Sequence, residues 1–274
     1  MTDRATIDGR RRIRHAIEVA RGEDRAVLFP YLTAGIPSIE ASISIFEAMA
    51  DAGADGFEIG IPYADPLMDG PVIMEAGEVA LKSGVTVEVA LDVVTGVVER
   101  TGKPVLVMTY VNPVLRHGID TFMAKVADAG ASGVILADLP IDEAGPFSAA
   151  ANAVGLGMVV FAAPTSGADR LEEVAAVDPV FVYAVAEVGV TGEREQASTR
   201  TAELARQIRE VTDAPIVFGV GISTPEHAAS AASVGDGVIV GTAVVRRVLE
   251  AADGDEAIAA LAPFVQDLAT AVRR

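Results

Sequence analysis

The chain has 274 residues, 51% of them hydrophobic and 22% charged, which is enough for one large core and fits a barrel-sized domain of about 250 residues. Its net charge of -18 repels nucleic acid and anionic membrane surfaces at long range, and the absence of cysteine excludes disulfides and thiolate metal sites. An anionic small molecule remains an acceptable ligand if backbone amides and helix N-termini hold it.

Arg10, Arg11, Arg12 and Arg14 sit near the start, but Ala16 to Arg25 mixes apolar with charged residues, so no signal peptide is expected. No apolar run reaches the roughly 20 residues of a membrane helix. A soluble cytoplasmic protein is expected. Gly9 to Arg21 has helical spacing, with Ile13, Ala16, Ile17 and Ala20 on one side, and reads as an added helix over one end of the domain.

From there apolar runs alternate with amphipathic stretches. The runs are Val27 to Leu32, Gly56 to Ile59, Val105 to Met108, Val134 to Ala137, Met158 to Phe161, Val180 to Val185, Ile216 to Phe218 and Val238 to Val240. Ser38 and Thr224 look like N-caps, while Gly53, Gly84, Gly130, Gly155 and Gly235 stand where helices should stop. A helix-turn-strand entry recurs as Ala52-Gly53-Ala54-Asp55-Gly56, Ala129-Gly130-Ala131-Ser132-Gly133 and Val234-Gly235-Asp236-Gly237. Eight strands alternating with helices, with no nucleotide-type glycine loop after the first, predict a closed (β/α)8 TIM barrel over 1–274, with right-handed crossovers. Extra helices are expected at the N-terminus, after strand 2 (Pro71 to Lys82) and at the C-terminus (Asp255 to Val272).

In such a barrel the loops after the strands form the active face. Strand 2 and its loop hold three carboxylates, Glu58, Asp65 and Asp69. Alternation puts Glu58 on the face of Gly56 and Gly60, with open space beside it. A buried carboxylate shifts its pKa or finds a ligand, although a structural Glu satisfied by backbone amides is the competing reading. Asp69 also has a competing reading as a helix-start residue, because Gly70-Pro71 follows it. Tyr110 and Asn112 follow strand 3 as loop residues, and Asp138 follows strand 4.

The loops Gly219 to Thr224 and Gly241-Thr242-Ala243, with Gly189 and Gly192 after strand 6, have the glycines that let a phosphate approach the backbone. Lys82, Lys103 and Lys125 fall away from the strand ends, which argues against a Schiff base. His15, His117 and His227 have no metal-ligand spacing, so no metal is expected. Proton transfer between carboxylates on a phosphorylated substrate remains, as a lyase or an isomerase, with Glu58 and Asp69 as the leading pair.

The run Phe57-Glu58-Ile59-Gly60-Ile61-Pro62-Tyr63-Ala64-Asp65-Pro66-Leu67-Met68-Asp69-Gly70-Pro71 closely resembles the signature of the tryptophan synthase alpha chain family. So do Tyr110-Val111-Asn112-Pro113, Ala137-Asp138-Leu139-Pro140, Gly189-Val190-Thr191-Gly192 and Phe218-Gly219-Val220-Gly221-Ile222-Ser223, and the resemblance runs from about Val27 to Leu249. It implies cleavage of indole-3-glycerol phosphate to indole and glyceraldehyde 3-phosphate with no cofactor in this chain. By this analogy Glu58 would protonate the indole C3 and handle the glycerol hydroxyl, and Asp69 would accept from the indole N–H.

The resemblance further implies substrate contacts by Tyr31, Tyr110, Tyr183 and Thr191, the last on a lid that meets Asp69. It implies a phosphate cradle of Gly192, Gly221, Gly241 and Thr242. Pro62, Asp65 and Asn112 would face a partner, the pyridoxal-phosphate-dependent beta chain, in an alpha2-beta2 heterotetramer. Departures from the family pattern are Thr242 for Ser, Met74 for Gln, Ala64 for Ser, and Glu187-Val188 at the start of the lid.

Two other functions fit parts of this reading. One is a sugar-phosphate isomerase barrel, which needs an acid/base pair across strands such as 1 and 5, whose ends carry no carboxylate. The other is a docking subunit with weak activity of its own.

Overall fold

A computed structural model describes residues 8–185 and 194–274. The chain order is α1 (Gly9–Gly22), β1 (Val27–Thr33), α2 (Ile39–Asp51), β2 (Phe57–Gly60), α3 (Pro71–Lys82), α4 (Val87–Thr101), β3 (Val105–Thr109), α5 (Val111–His117), α6 (Ile119–Asp128) and β4 (Gly133–Leu136). A short 3-10 turn (Ile141–Glu143) then precedes α7 (Ala144–Ala153), β5 (Gly157–Ala162), α8 (Ala168–Ala176), β6 (Phe181–Ala184), α9 (Arg194–Val211), β7 (Ile216–Phe218), α10 (Pro225–Ala232), β8 (Gly237–Val240), α11 (Thr242–Glu250) and α12 (Gly254–Ala271). The eight strands are parallel and close as β1-β2-β3-β4-β5-β6-β7-β8, with β1 paired to β8. The predicted TIM barrel and its three added helices are therefore present.

Strands buried on both faces read as unbroken apolar runs, because helices cover the outside while side chains fill the inside. All residues of β1, β2, β4 and β6 are buried. The helices start where sequence chemistry places them: the Ser38 side chain accepts from the Ala41 amide, and Thr224 accepts from that of His227. Gly53, Gly84, Gly130 and Gly155 have positive φ, the left-handed geometry that ends a helix. Gly235 is not among them. Its constraint is steric, since a Cβ there would approach the Phe218 ring to 2.6 Å.

The recurring strand entry has an electrostatic purpose that its spelling alone does not reveal. Asp55 accepts from the Leu28 amide at 2.9 Å, and Asp236 accepts from the Ile216 amide at 2.9 Å. Each carboxylate thus holds the first residues of a neighbouring strand at the N-terminal end of the barrel. Asp55 is also forked by Arg25, with Nη1 and Nη2 donating at 2.7 and 2.9 Å, and the two side chains are only 12% and 14% exposed. Beside this pair the C-terminal segment is stitched on by an Arg25–Arg273 bridge and by Ala26 donating to the Val272 carbonyl. Asp55→Ala would leave the Leu28 amide without its acceptor and the Arg25 guanidinium with only Glu23 and the Ala26 carbonyl, and it is expected to cost about 2 kcal/mol. Chemical denaturation checks this, and a loss under about 1 kcal/mol would mean that water replaces the carboxylate.

At the same end α1 covers the barrel floor. Ile13 is buried against Gly133, and the Arg12 guanidinium donates to the carbonyls of Gly102, Lys103 and Gly130. The floor is therefore closed, and the opposite, C-terminal end of the strands is left as the working face.

Candidate functional site

Glu58 lies inside β2, in register with Tyr31 of β1 and Leu106 of β3, and in-register residues of a parallel sheet share a face. It is 4% exposed, and its Oε2 is buried without a hydrogen-bond partner. Burial, with the charge of Asp69 adding to it, pushes the Glu58 carboxyl up to about 8. The group therefore holds a proton at neutral pH. Among the described residues no backbone amide meets Glu58 Oε2.

The glycines on either side of Glu58 were expected to leave it open space, and the structure fills that space. A Cβ on Gly56 would lie 2.8 Å from the Phe29 ring, and one on Gly60 would lie 2.2 Å from the Tyr31 hydroxyl. These two glycines therefore seat aromatic groups from β1 against the β2 backbone. The same device recurs across the barrel, where a Cβ on Gly219 would lie 1.9 Å from the Tyr183 hydroxyl. Tyr183 is buried and packs against Phe161, ring centroids 5.0 Å apart. Gly219→Ala forces this ring out of its place and is expected to lower stability by about 2 kcal/mol. An unchanged Tm would show that the ring can shift freely.

Asp69 closes the loop after β2. Its amide donates to the Pro66 carbonyl, and Gly70, not Asp69, is the cap residue of α3, which has no side-chain cap. Asp69 is therefore not the N-cap of α3, and its carboxyl is hydrogen-bonded with the Tyr110 side chain instead. Partial burial raises this carboxyl above its ordinary range, and interaction with the Tyr110 hydroxyl opposes the rise. Tyr110 is buried and accepts from the Met68 amide at 3.2 Å, so it fixes the loop segment next to Asp69.

Tyr110 and Asn112 were expected in a loop, but Tyr110 is the cap residue of α5 and Asn112 lies in the first turn of that helix. The helix has only seven residues and contains Pro113, which gives it no readable period. Its start is anchored by Asp138, which accepts from the Val111 amide at 2.7 Å. Asn112 donates to the Tyr63 hydroxyl at 2.8 Å, and the rings of Tyr63 and Tyr110 stack with centroids 5.1 Å apart. Tyr63 escaped the sequence reading, although an aromatic directly after Pro62 in a carboxylate-bearing loop was a visible signal. The fold thus joins the loop of Pro62 and Asp65 to the helix of Asn112, and the rim they form carries Leu67 and Met68, 81% and 63% exposed.

On the opposite side of the mouth, Gly221 has φ +77°. Gly241 is the cap residue of α11, a helix that starts with no side-chain cap, and Thr242 is exposed in its first turn. The Thr242 and Ala243 amides of such a start can meet an anion, while the Val244 and Val245 amides donate to the Gly241 carbonyl. Neighbouring α10 differs in being capped by Thr224. Thr191 and Gly192, together with Glu187, Val188 and Gly189, lie outside the described residues. Among the described residues no cluster of three or more His, Cys, Asp or Glu assembles, and no helix is long and apolar enough to cross a membrane.

Residues 17–273 match the sequence model of the tryptophan synthase alpha chain. Among curated relatives, the tryptophan synthase alpha chain of Salinispora tropica is 45% identical over 262 residues, covering 96% of this chain and 98% of that one. That of Streptomyces coelicolor is 42% identical over 257 residues, covering 94% and 95%. Among solved structures, Mycobacterium tuberculosis tryptophan synthase aligns with TM-score 0.86 at 38% identity, covering 96% of this chain and 98% of that chain. Tryptophan synthase subunit alpha from Legionella pneumophila aligns with TM-score 0.87 at 31% identity, covering 95% and 98%.

Proposed function

The chain belongs to the tryptophan synthase alpha chain family, and from that premise we propose that Glu58 and Asp69 cleave indole-3-glycerol phosphate to indole and glyceraldehyde 3-phosphate. The chain is the alpha subunit of tryptophan biosynthesis and acts as a carbon–carbon lyase. The observation that carries the mechanism is the protonated, buried Glu58, with an unpartnered oxygen, below an Asp69 freed from helix capping.

Glu58 gives its proton to the indole C3, which turns the ring into an electron acceptor. Asp69 takes a hydrogen bond from the indole N–H as positive charge develops there. The Glu58 carboxylate then removes the proton of the glycerol hydroxyl next to the scissile bond. That bond breaks, its electron pair returns to the indole ring, and an aldehyde forms. Glu58 ends as it began, protonated. Glu58 carries both protons in this sequence and Asp69 holds the developing charge, so no cofactor is called on in this chain.

Tyr31, Tyr110 and Tyr183 line the substrate's aromatic part, and Thr191 completes it from the segment after β6. The phosphate is held by Gly192, Gly221, Gly241 and Thr242, through amides and the start of α11, which suits a chain of net charge -18. Pro62, Asp65 and Asn112, beside the exposed Leu67 and Met68, face a beta chain that carries pyridoxal phosphate, in an alpha2-beta2 heterotetramer. A cytoplasmic location follows from this biosynthetic role. The isomerase alternative is not favoured, because β1 ends in Thr33 and β5 in Ala162, neither of which supplies a carboxylate.

Indole release from indole-3-glycerol phosphate by the purified chain, with and without a tryptophan synthase beta chain, tests this function. Release that rises sharply with the beta chain is expected. No release in either condition from folded protein would remove the lyase assignment, and release indifferent to the beta chain would remove the partner.

A further inference from the structure

The fold builds a place for the hydroxyl of Tyr31. Tyr31 and Thr33 on β1 pair in register with Glu58 and Gly60 on β2, so the four residues share one face. The Tyr31 Oη lies 3.3 Å from Thr33 Oγ1 and rests where Gly60 has no side chain, since a Cβ there would come within 2.2 Å of it. Gly60 is two residues beyond Glu58 toward the open end of the barrel. The hydroxyl therefore stands between Glu58 and the loop that carries Asp69. Burial, and then the charges of Asp69 and Glu58, hold its proton more firmly than in an ordinary tyrosine, while Thr33 works against this. It stays a hydrogen-bond donor at any working pH.

Glu58 Oε2, meanwhile, is buried with no donor. An unpartnered oxygen is tolerable on a neutral carboxyl and costly on an ionised one. Among the described residues, the other titratable groups that face this pair are Asp69 after β2, Tyr110 after β3 and Tyr183 on β6. Asp69 has no proton to give when it is ionised. Tyr110 is committed to the Met68 and Asp69 loop, and the Tyr183 hydroxyl is seated against Gly219.

We propose that Tyr31 is a positioning residue for Glu58: when Glu58 gives up its proton, the Tyr31 hydroxyl turns from Thr33 and donates to the carboxylate oxygen that otherwise has no partner. This role is separate from any contact of the Tyr31 ring with a substrate, and it rests on the reading of Glu58 as the acid/base.

Tyr31→Phe keeps the ring and removes the donor. Its kcat is expected to fall about tenfold with KM within about twofold, and the high-pH limb of kcat/KM is expected to move up by about one unit, because the lost bond favoured the charged carboxylate. A pH profile that superimposes on the parent's, with kcat within about twofold, would overturn the inference. A second reading needs no turnover. The carboxyl infrared band that disappears in Glu58→Gln is titrated in the parent and in Tyr31→Phe, and its midpoint is expected about one unit higher in the variant. Coincident midpoints overturn the inference whether or not indole is formed. Separated midpoints in a chain that releases no indole would sustain the Tyr31–Glu58 coupling and reject the lyase reading instead.

Discussion

Glu58→Gln is expected to lower the rate of indole release by about a thousandfold or more while leaving the chain folded and, above neutral pH, more stable than the parent. Glutamine keeps the volume and the hydrogen-bonding edge but can neither give nor take the proton at C3. The gain in stability has a definite sign. The Glu58 carboxyl is held up to about 8 in the folded chain, against an ordinary value of 4.5, so the native state keeps a proton that the unfolded state has lost. Stability therefore falls as pH rises from about 4.5 to about 8, and a neutral glutamine escapes this loss. The variant's advantage should be near zero at pH 4 and grow to about 5 kcal/mol at pH 9. Denaturant melts across pH check the second half of this expectation. A variant of unchanged activity would remove Glu58 from the mechanism, and a pH-independent difference would mean that the carboxyl is solvated after all.

For Asp69→Asn the expected loss in kcat is about a hundredfold or more, with KM changed much less. The asparagine retains the shape of the loop, because the backbone bond from residue 69 to the Pro66 carbonyl and the Tyr110 bond to the Met68 amide remain. What is lost is a negative charge facing the indole N–H when positive charge builds on the ring. The parent's activity should decline at acidic pH as Asp69 is protonated, and this decline should start at a higher pH than for a free aspartate, since burial raises the group. It should decline again through about 8 as Glu58 loses the proton it must deliver. In Asp69→Asn the acidic limb should vanish and the alkaline limb persist. Kinetics of both variants from pH 5 to 10 check this, and an acidic limb that survives the substitution would assign it to another group.

The barrel was legible because its physics is written locally. Strands covered on both faces must be apolar throughout, and helix ends need caps and glycines, so eight runs and their punctuation could be read directly. Glu58 was legible for the opposite reason: a carboxylate in an apolar run contradicts its surroundings. What could not be read depends on pairing between distant segments. The spaces beside Gly56 and Gly60 looked empty from sequence and Gly219 looked like a loop glycine for a phosphate, but Phe29, Tyr31 and Tyr183 occupy these places from other strands. The short α5 had no period to announce it, which turned Tyr110 and Asn112 from loop residues into the start of a helix. Asp55 and Asp236 were visible as a repeated spelling, but their work on the Leu28 and Ile216 amides is visible only in the fold.

Solvent exchange at the indole C3 tests the role of Glu58 most directly, because protonation of that carbon is separable from cleavage of the carbon–carbon bond. Indole is incubated with the chain and glycerol 3-phosphate in deuterium oxide at pH 7, and deuterium at C3 is followed by proton NMR. The parent is expected to accelerate exchange over buffer, and Glu58→Gln is expected to return it to the buffer rate. Exchange by Glu58→Gln at the parent's rate would contradict the assignment of Glu58 as the acid that activates the indole ring.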